Sequence, residues 1–372
     1  MAQYRAAVIG LGRMGSTFDD EIDRGGSIFL PYCHAPSYHA APVVELVAGA
    51  DLHDGQRAIF GERWGLSDDH LYADYREMLA RERLDLVSVC TTTRVRSTIV
   101  QDVARSGVGA IWAEKPIALS LQEADDMVRV CEHEGVQLAI YCARRWNPFF
   151  AEARRMIEAG EIGDVLQITA YAQAGLSHNG SHVIDVVRYL VGAEVEWVFG
   201  EMESDEVAAG DDDPRGNGYL AFANGTRGYI RSMNTGAAYW EIDVLGEKGR
   251  IRSVANSERW ELERVLDEGP KGRRGRPVSV SYPFPWPAMI QGMGLNAVAD
   301  LVSGIENGHA PKCSGRDGRA ALEIAIALRE SHRLGGVKVT LPIADRSLMI
   351  RSVETVGDDV PARVRRERQQ GS

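Results

Sequence analysis

The chain is short of paired cysteines, of long apolar runs and of surplus positive charge, and each shortage closes off a class of protein. Its five cysteines, Cys33, Cys90, Cys131, Cys142 and Cys313, are odd in number and widely spaced, with no C-x-x-C pair. That usage suits reduced thiols in a cytosol rather than a disulfide framework. No apolar stretch approaches the length of a membrane span. Met1-Ala-Gln-Tyr-Arg5 enters a first strand without the basic and apolar regions of an export signal, so a cytoplasmic location is expected. Asp plus Glu (53) exceed Lys plus Arg (42), giving a net charge of −11. Such a surface repels phosphate backbones, which argues against a nucleic-acid partner. The basic run Lys271-Gly-Arg-Arg-Gly-Arg276 is local and Gly-rich and reads as a solvated loop.

What is present is apolar material for two cores. At 372 residues, 44% hydrophobic and 26% charged, the chain is too long for one ordinary domain. Tyr4–Ile9, Val43–Ala50, Leu84–Cys90, Val108–Trp112 and Val136–Cys142 read as short buried strands. Helical patterns fall near Asp74–Arg81, Ser97–Ser106 and Leu121–Glu134. This alternation implies βαβ units and a doubly wound parallel sheet. After about residue 150 the texture changes to a helix at Phe149–Ala159 and alternating runs at Val165–Ala174, Val195–Val207, Gly218–Phe222, Gly228–Met233, Tyr239–Leu245 and Arg250–Val254. Split by Asn224-Gly225 and Glu247-Lys-Gly249, these predict a large, mainly antiparallel open-faced sheet. Helices at His182–Leu190, Leu295–Ile305 and Gly318–Leu334 and a strand at Val337–Leu341 make the second domain α+β.

The first strand runs into Gly10-Leu-Gly12-Arg13-Met14-Gly15, a G-x-G-x-x-G pattern placed after a strand. The first Gly permits the tight turn, the second lets backbone approach a pyrophosphate, and the third allows close helix–strand packing. Asp51 closes the second strand, where an acid accepts hydrogen bonds from a ribose 2′-hydroxyl and repels a 2′-phosphate. NAD is therefore expected, with NADP disfavoured. The spacing is long, 36 residues from Gly15 to Asp51 against the roughly 20 usual for this fingerprint. The surplus is Ser16–Cys33, an insertion expected on the active-site rim as part of a substrate enclosure or lid. Another strand ends in Glu114-Lys115-Pro116, charge placed where open α/β sheets keep their ligands; alone, it would read as a solvated loop lysine.

Together with Gly175-Leu-Ser-His178-Asn-Gly180-Ser-His182-Val-Ile-Asp185, these features resemble the Gfo/Idh/MocA oxidoreductases, named for glucose–fructose oxidoreductase and inositol dehydrogenase. Tyr141-Cys-Ala-Arg144-Arg145-Trp-Asn-Pro148 and Gly318-Arg-Ala-Ala-Leu-Glu-Ile-Ala-Ile-Ala with Val339-Thr-Leu-Pro342 extend the likeness over nearly the whole chain. The resemblance implies an N-terminal Rossmann domain (1–120), a substrate-binding and oligomerisation domain (121–345) and a charged tail (346–372). Segments 121–134 and 136–142 are left free to pack with the first domain. It further implies an NAD(P)-dependent oxidoreductase of sugars, sugar derivatives or cyclitols, working as a homodimer or homotetramer. Lys115 would contact substrate and nicotinamide, and His182 would be the acid/base. Gly10, Gly12, Arg13, Met14, Gly15, Asp51, Thr91, Thr92 and Glu114 would meet the cofactor, and Tyr141, Arg145 and Asp185 the substrate. Asp185, three residues past His182, could alternatively orient the imidazole.

Physical reasoning supports the same roles. Hydride leaves a carbinol only as its hydroxyl proton leaves, so a base within hydrogen-bond reach is required. An imidazole can take and return that proton near neutral pH, and an ammonium stabilises the developing alkoxide. Two departures from the family pattern stand out. His178 occupies the position of the usual Asp in Asp-x-Gly-x-His, so it joins the candidate catalytic residues. Either the substrate carries an acid or phosphate, or the proton path differs, or catalysis is lost. Arg94 and Arg96 in Thr91-Thr92-Thr93-Arg94-Val95-Arg96 replace expected histidines and face cofactor, an anionic substrate group or plain solvent. His178 and His182, four apart, have no evident third ligand, and no metal is expected. Other readings are an NAD-dependent glycosidase working by oxidation and elimination, and a non-catalytic sugar sensor.

Overall fold

In the computed structural model, residues 3–22, 29–266 and 278–351 are described. The basic run at 271–276, the Gly25-Gly26 part of the insertion and most of the expected tail lie outside them.

The first sheet has six parallel strands in the order β3-β2-β1-β4-β5-β6. They are β1 (Tyr4–Ile9), β2 (Val44–Ala50), β3 (Leu71–Tyr72), β4 (Leu86–Val89), β5 (Ala110–Ala113) and β6 (Gln137–Ile140). All four residues of both β4 and β5 are buried, so these strands read as continuous apolar runs rather than alternating ones. The order reverses between β1 and β4, and a crevice for ligand opens at the carboxyl ends of strands at such a point. Helix α6 (Leu121–Glu134) starts in a capping box between Ser120 and Glu123 and ends at the left-handed Gly135. It feeds β6, so the first sheet itself takes in residues as far as Ile140.

The second sheet has nine strands in the order β14-β13-β12-β11-β7-β10-β9-β8-β15 and is antiparallel except at β7–β10. It contains β7 (Val165–Ala172), β8 (Val195–Met202), β9 (Gly216–Phe222), β10 (Arg227–Ser232), β11 (Glu241–Gly246) and β12 (Gly249–Val254). Strands β13 (Arg259–Val265), β14 (Ser279–Tyr282) and β15 (Val339–Thr340) complete it. Its inner face packs on α8 (Gly180–Val191) and α11 (Gly315–Arg333). The outer face leaves Phe199, Tyr219, Tyr229 and Leu245 exposed.

Four features differ from expectation. The Gly-rich loop does not open a long helix: a π-helical turn (Arg13–Thr17) runs into the insertion, which contains the short α1 (Asp19–Ile22), and α2 (His34–Ala40) follows it. The run predicted as a strand to Val207 stops at Met202, because Ser204 caps a new helix, α9 (Asp205–Ala209), through the Val207 N–H. Helix α3 (Asp54–Trp64), rich in charge, carried too little periodicity to be read. Strands β13 and β14 were missed for a related reason. Arg-Trp-Glu-Leu-Glu-Arg-Val of β13 hides its alternation behind charges that pair across strands, as Arg252 does with Glu261 and Glu263.

The two domains are stitched together at β6. Ile140 N–H donates to Cys313 O at 2.9 Å, and Ala139 bridges Ser314 at the head of α11. Residues 346–351, expected to belong to the tail, return over α6: Leu121 N–H donates to Leu348 O, and Arg346 pairs with Asp125.

Candidate active site

The Gly-rich loop is shaped by what a side chain would strike. A Cβ on Gly15 would lie 2.1 Å from Gly10 O, and one on Gly10, at φ 89°, would lie 2.8 Å from Cys90 C. Gly12 is different, since a Cβ there meets nothing within 4 Å. Protein packing therefore does not demand a glycine at 12; an approaching pyrophosphate does, and the cradle fits a dinucleotide. Asp51 accepts from Leu11 N–H (2.9 Å) and His53 N–H (2.9 Å), which fixes its carboxylate beside the loop. Arg13 is drawn away to Glu21 by a bidentate pair at 2.8 Å, and Met14 is half-buried. At the end of β4, Thr91 Oγ1 is buried with no partner among the described residues, while Thr92 is exposed at the N-cap of α5 (Thr93–Ala104).

The insertion is tied at both ends. Asp19 accepts from Tyr32 and Cys33 N–H, Asp20 forms a bidentate pair with Arg63 of α3, and Tyr141 donates to Tyr32 O at 2.8 Å. Its far end reaches α10 (Met293–Asn307), where Met293 and Gly294 N–H donate to Phe29 and Pro31 O. The segment thus spans from the Gly loop to the second domain.

Glu114 and Lys115 follow β5 and face opposite ways. Glu114 is buried: one oxygen lies 3.2 Å from His34 Nε2, and the other accepts from the Lys115 N–H. Its expected contact with cofactor is therefore replaced by a role beneath the site. The buried His34 stacks 3.8 Å from Trp112, and its Nδ1 lies 2.8 Å from Ser88 Oγ, itself 2.8 Å from the Tyr38 hydroxyl. Burial pushes the His34 pKa down, whereas the His34 hydrogen bond and nearby cations outweigh burial at Glu114 and hold it below the usual carboxylate range. A neutral imidazole beside a carboxylate assigns the proton to Nε2. Arg96, buried rather than facing solvent or ligand, donates to Thr91 O and Pro116 O and so joins the β4 and β5 loops; the Lys115–Pro116 peptide is cis.

Lys115 Nζ crosses to the second domain, donating to Asn179 Oδ1 at 3.0 Å and His178 O at 3.3 Å. Burial, partly offset by Glu114, lowers its pKa from 10.5. The loop it reaches is held by Asp213, which accepts from Ser177 N–H (2.6 Å) and His178 N–H (2.8 Å). A Cβ on Gly175 would lie 2.2 Å from Asp213 Oδ2, so the glycine is what admits this carboxylate. A carboxylate thus returns to the loop whose sequence lacks one, from the run Asp211-Asp212-Asp213-Pro214 between α9 and β9. Burial raises the Asp213 pKa.

His182 opens α8, 6% exposed, with Nδ1 buried and unpartnered by protein among the described residues. Burial, then the charges of Lys115 and Arg144 and the neighbouring His178, push its pKa well below 6.5. Burial and Lys115 likewise push His178 down to about 4. Both imidazoles are neutral at pH 7.

Three expected substrate contacts are placed elsewhere. Tyr141 is fully buried, with its hydroxyl committed to Tyr32 O. Asp185 is fully buried and turns to Arg145, not to His182: Arg145 Nε and Nη2 donate at 2.9 and 2.8 Å. Arg145 also reaches Asp317 Oδ1 (2.9 Å) and Lys312 O (2.7 Å), closing α8 onto α11. Cys142, Asp185 and Cys313 form a buried cluster whose carboxylate already accepts from Arg145.

A Gly-cradled switch-point crevice, with a lysine and a histidine converging from two domains, defines a dinucleotide-dependent oxidoreductase. The comparisons agree. Residues 4–142 match the family model described as "Oxidoreductase family, NAD-binding Rossmann fold", and residues 172–341 its C-terminal alpha/beta domain. The chain belongs to the Gfo/Idh/MocA oxidoreductase family. It is similar to D-apiose dehydrogenase of Paraburkholderia graminis, 26% identical over 83% of this chain and 87% of the relative. It is likewise 26% identical to myo-inositol 2-dehydrogenase of Thermotoga maritima, over 88% of this chain and 96% of the relative. Among solved structures, levoglucosan dehydrogenase in complex with NADH and L-sorbose shares the fold at a TM-score of 0.74 and 20% identity, covering 92% of this chain and 100% of that one.

Proposed function

We propose that this protein oxidises a secondary alcohol of a sugar, sugar derivative or cyclitol with NAD, and reduces the ketone in reverse. The observation that carries the reading is the reach of Lys115 Nζ across the crevice to the His178–Asn179 loop, with His182 close behind it. NAD, when bound, supplies the hydride acceptor. Gly10, Gly12 and Gly15 would admit its pyrophosphate, and Asp51 would meet the adenosine ribose and disfavour a 2′-phosphate. The substrate hydroxyl would lie between Lys115 Nζ and His182. His182, neutral at working pH and with a nitrogen that has no partner among the described residues, accepts the hydroxyl proton. Lys115 donates to the same oxygen as negative charge develops on it, in a site where burial strengthens that interaction. Asp213 holds the loop that receives Lys115. The exposed aromatic face of the second sheet supports association of copies of the chain.

The test is NADH formation at 340 nm across polyols, sugars, sugar acids and inositols, with NAD and NADP in parallel. At least one carbinol is expected to be oxidised, faster with NAD. Tight sugar binding with no turnover would contradict the reading.

A further inference from the structure

Two adjacent arginines on the 3-10 turn Ala143–Trp146 have opposite surroundings. Arg145 is saturated by Asp185, Asp317 and Lys312 O. Arg144 has no hydrogen bond or ion pair among the described residues; its guanidinium lies 4.3 Å over the Trp240 ring. The groups acting on it are Tyr32, Cys142 and Tyr239, none a carboxylate, and burial lowers its pKa. Arg144 is partly buried, whereas the buried Arg188 and Arg329 are matched by acids, Arg188 by Glu194 and Asp317, Arg329 by Glu330. A partly buried guanidinium without a counter-ion is unfavourable, and a negatively charged ligand group would supply the missing charge.

Arg144 belongs to the site. Its charge and that of Lys115 both act on His182, and Trp240 stacks under Arg144 while its ring edge meets His182 at 6.3 Å. Lys115 has two nearby carboxylates, Glu114 and Asp213; Arg144 has none. Trp240 is held at φ 52°, a left-handed conformation unusual for a bulky residue and most often retained at functional sites.

Resting on the hydride-transfer reading above, we propose that the substrate is a sugar acid and that Arg144 receives its carboxylate. The planar fork pairs with a carboxylate bidentately, and the Trp240 face holds it ready. The carboxylate would complete the charge balance that the protein leaves open beside His182. It would also orient the sugar so that one carbinol lies at Lys115.

The experiment compares kcat/KM for D-gluconate, D-glucuronate and D-galacturonate with that for D-glucose, myo-inositol and D-glucose 6-phosphate, in wild type and Arg144→Ala. Equilibrium binding of each compound to the enzyme–NADH complex is measured by fluorescence. NADH affinity and melting temperature of the variant, with Arg144→Lys beside it, control for folding. A carboxylate sugar should be preferred, and the acid-to-neutral ratio should fall by about a hundredfold in Arg144→Ala, with partial recovery in Arg144→Lys. A neutral sugar preferred by wild type, or a ratio unmoved by the substitution, overturns the inference while leaving hydride transfer intact. Preference for the phosphate ester overturns the carboxylate assignment. Arg144-dependent binding of a sugar acid without turnover supports the inference and removes the dehydrogenase reading. Absence of both binding and turnover overturns both.

Discussion

Lys115 and His182 depend on each other through charge. Lys115, Arg144 and burial all disfavour an imidazolium at His182, so the base form persists well into acid. The pH profile of kcat/KM for alcohol oxidation should stay flat through pH 6.5, where an ordinary histidine would already be losing its base form. Its alkaline limb should fall below pH 10.5, because the Lys115 pKa is lowered. Replacing Lys115 with Met should move the acid limb upward, since one source of depression is gone. An acid limb centred near 6.5 in wild type would contradict this coupling. Residues of this kind were legible in sequence because local motifs surround them, namely strand-Glu-Lys-Pro and Gly-x-His. Asp213, His34 and Arg144 were not recognised as site residues, and Arg96 was read as a contact to cofactor, substrate anion or solvent rather than as the link between two loops. Each acts over 20 or more positions, on the β5 loop, the 177–178 loop or His182, and nothing beside it in the sequence distinguishes it from the other charged residues.

At the scale of elements, the Gly loop separates packing from ligand approach. Gly15→Ala must collide with Gly10 O, so loss of folding stability is expected. Gly12→Ala finds open space, so it should cost only about 0.5–1 kcal/mol in stability yet weaken NADH binding by tenfold or more. Thermal melting and NADH titration together check this; unchanged affinity in Gly12→Ala would place the pyrophosphate elsewhere. The α8–α11 junction gives the contrasting case. Asp185→Ala leaves Arg145 buried without its main partner and should destabilise by about 3–5 kcal/mol, measured by urea unfolding. A stable variant with raised KM would return Asp185 to the substrate, where the sequence had placed it. The sequence misled here because residues three apart share a helix face, but the partner across the space between α8 and the turn before α7 (Pro148–Glu158) was not visible in it.

Across the whole molecule, the buried His34 and His182 and the partly buried His178 have folded pKa values below 6.5. The unfolded chain binds protons at these positions first as pH falls. Stability is therefore fully present above pH 6.5 and is lost as pH falls below it, for His178 down to about 4, by up to about 1.4 kcal/mol per pH unit for each group. Asp213, with a raised pKa, acts in the opposite sense, and the depressed carboxylates contribute only at lower pH. The melting temperature should fall from pH 6.5 to 5, and less steeply in His178→Asn; equal slopes would remove His178 from the account. Fold class was readable because both domains carry strong periodicity, parallel runs in one and alternation in the other. The placement of the insertion from the Gly loop to α10 was not, since it depends on contacts between domains.

The central claim is that Lys115 and His182 act together on one carbinol oxygen beside NAD. Its most direct test uses the best substrate of the panel and follows NADH formation by wild type, Lys115→Ala and His182→Ala, with NADH affinity measured alongside. Turnover should fall by about 10²–10⁴-fold in each variant while NADH affinity changes only a few-fold. Turnover within tenfold of wild type in either variant would contradict the account.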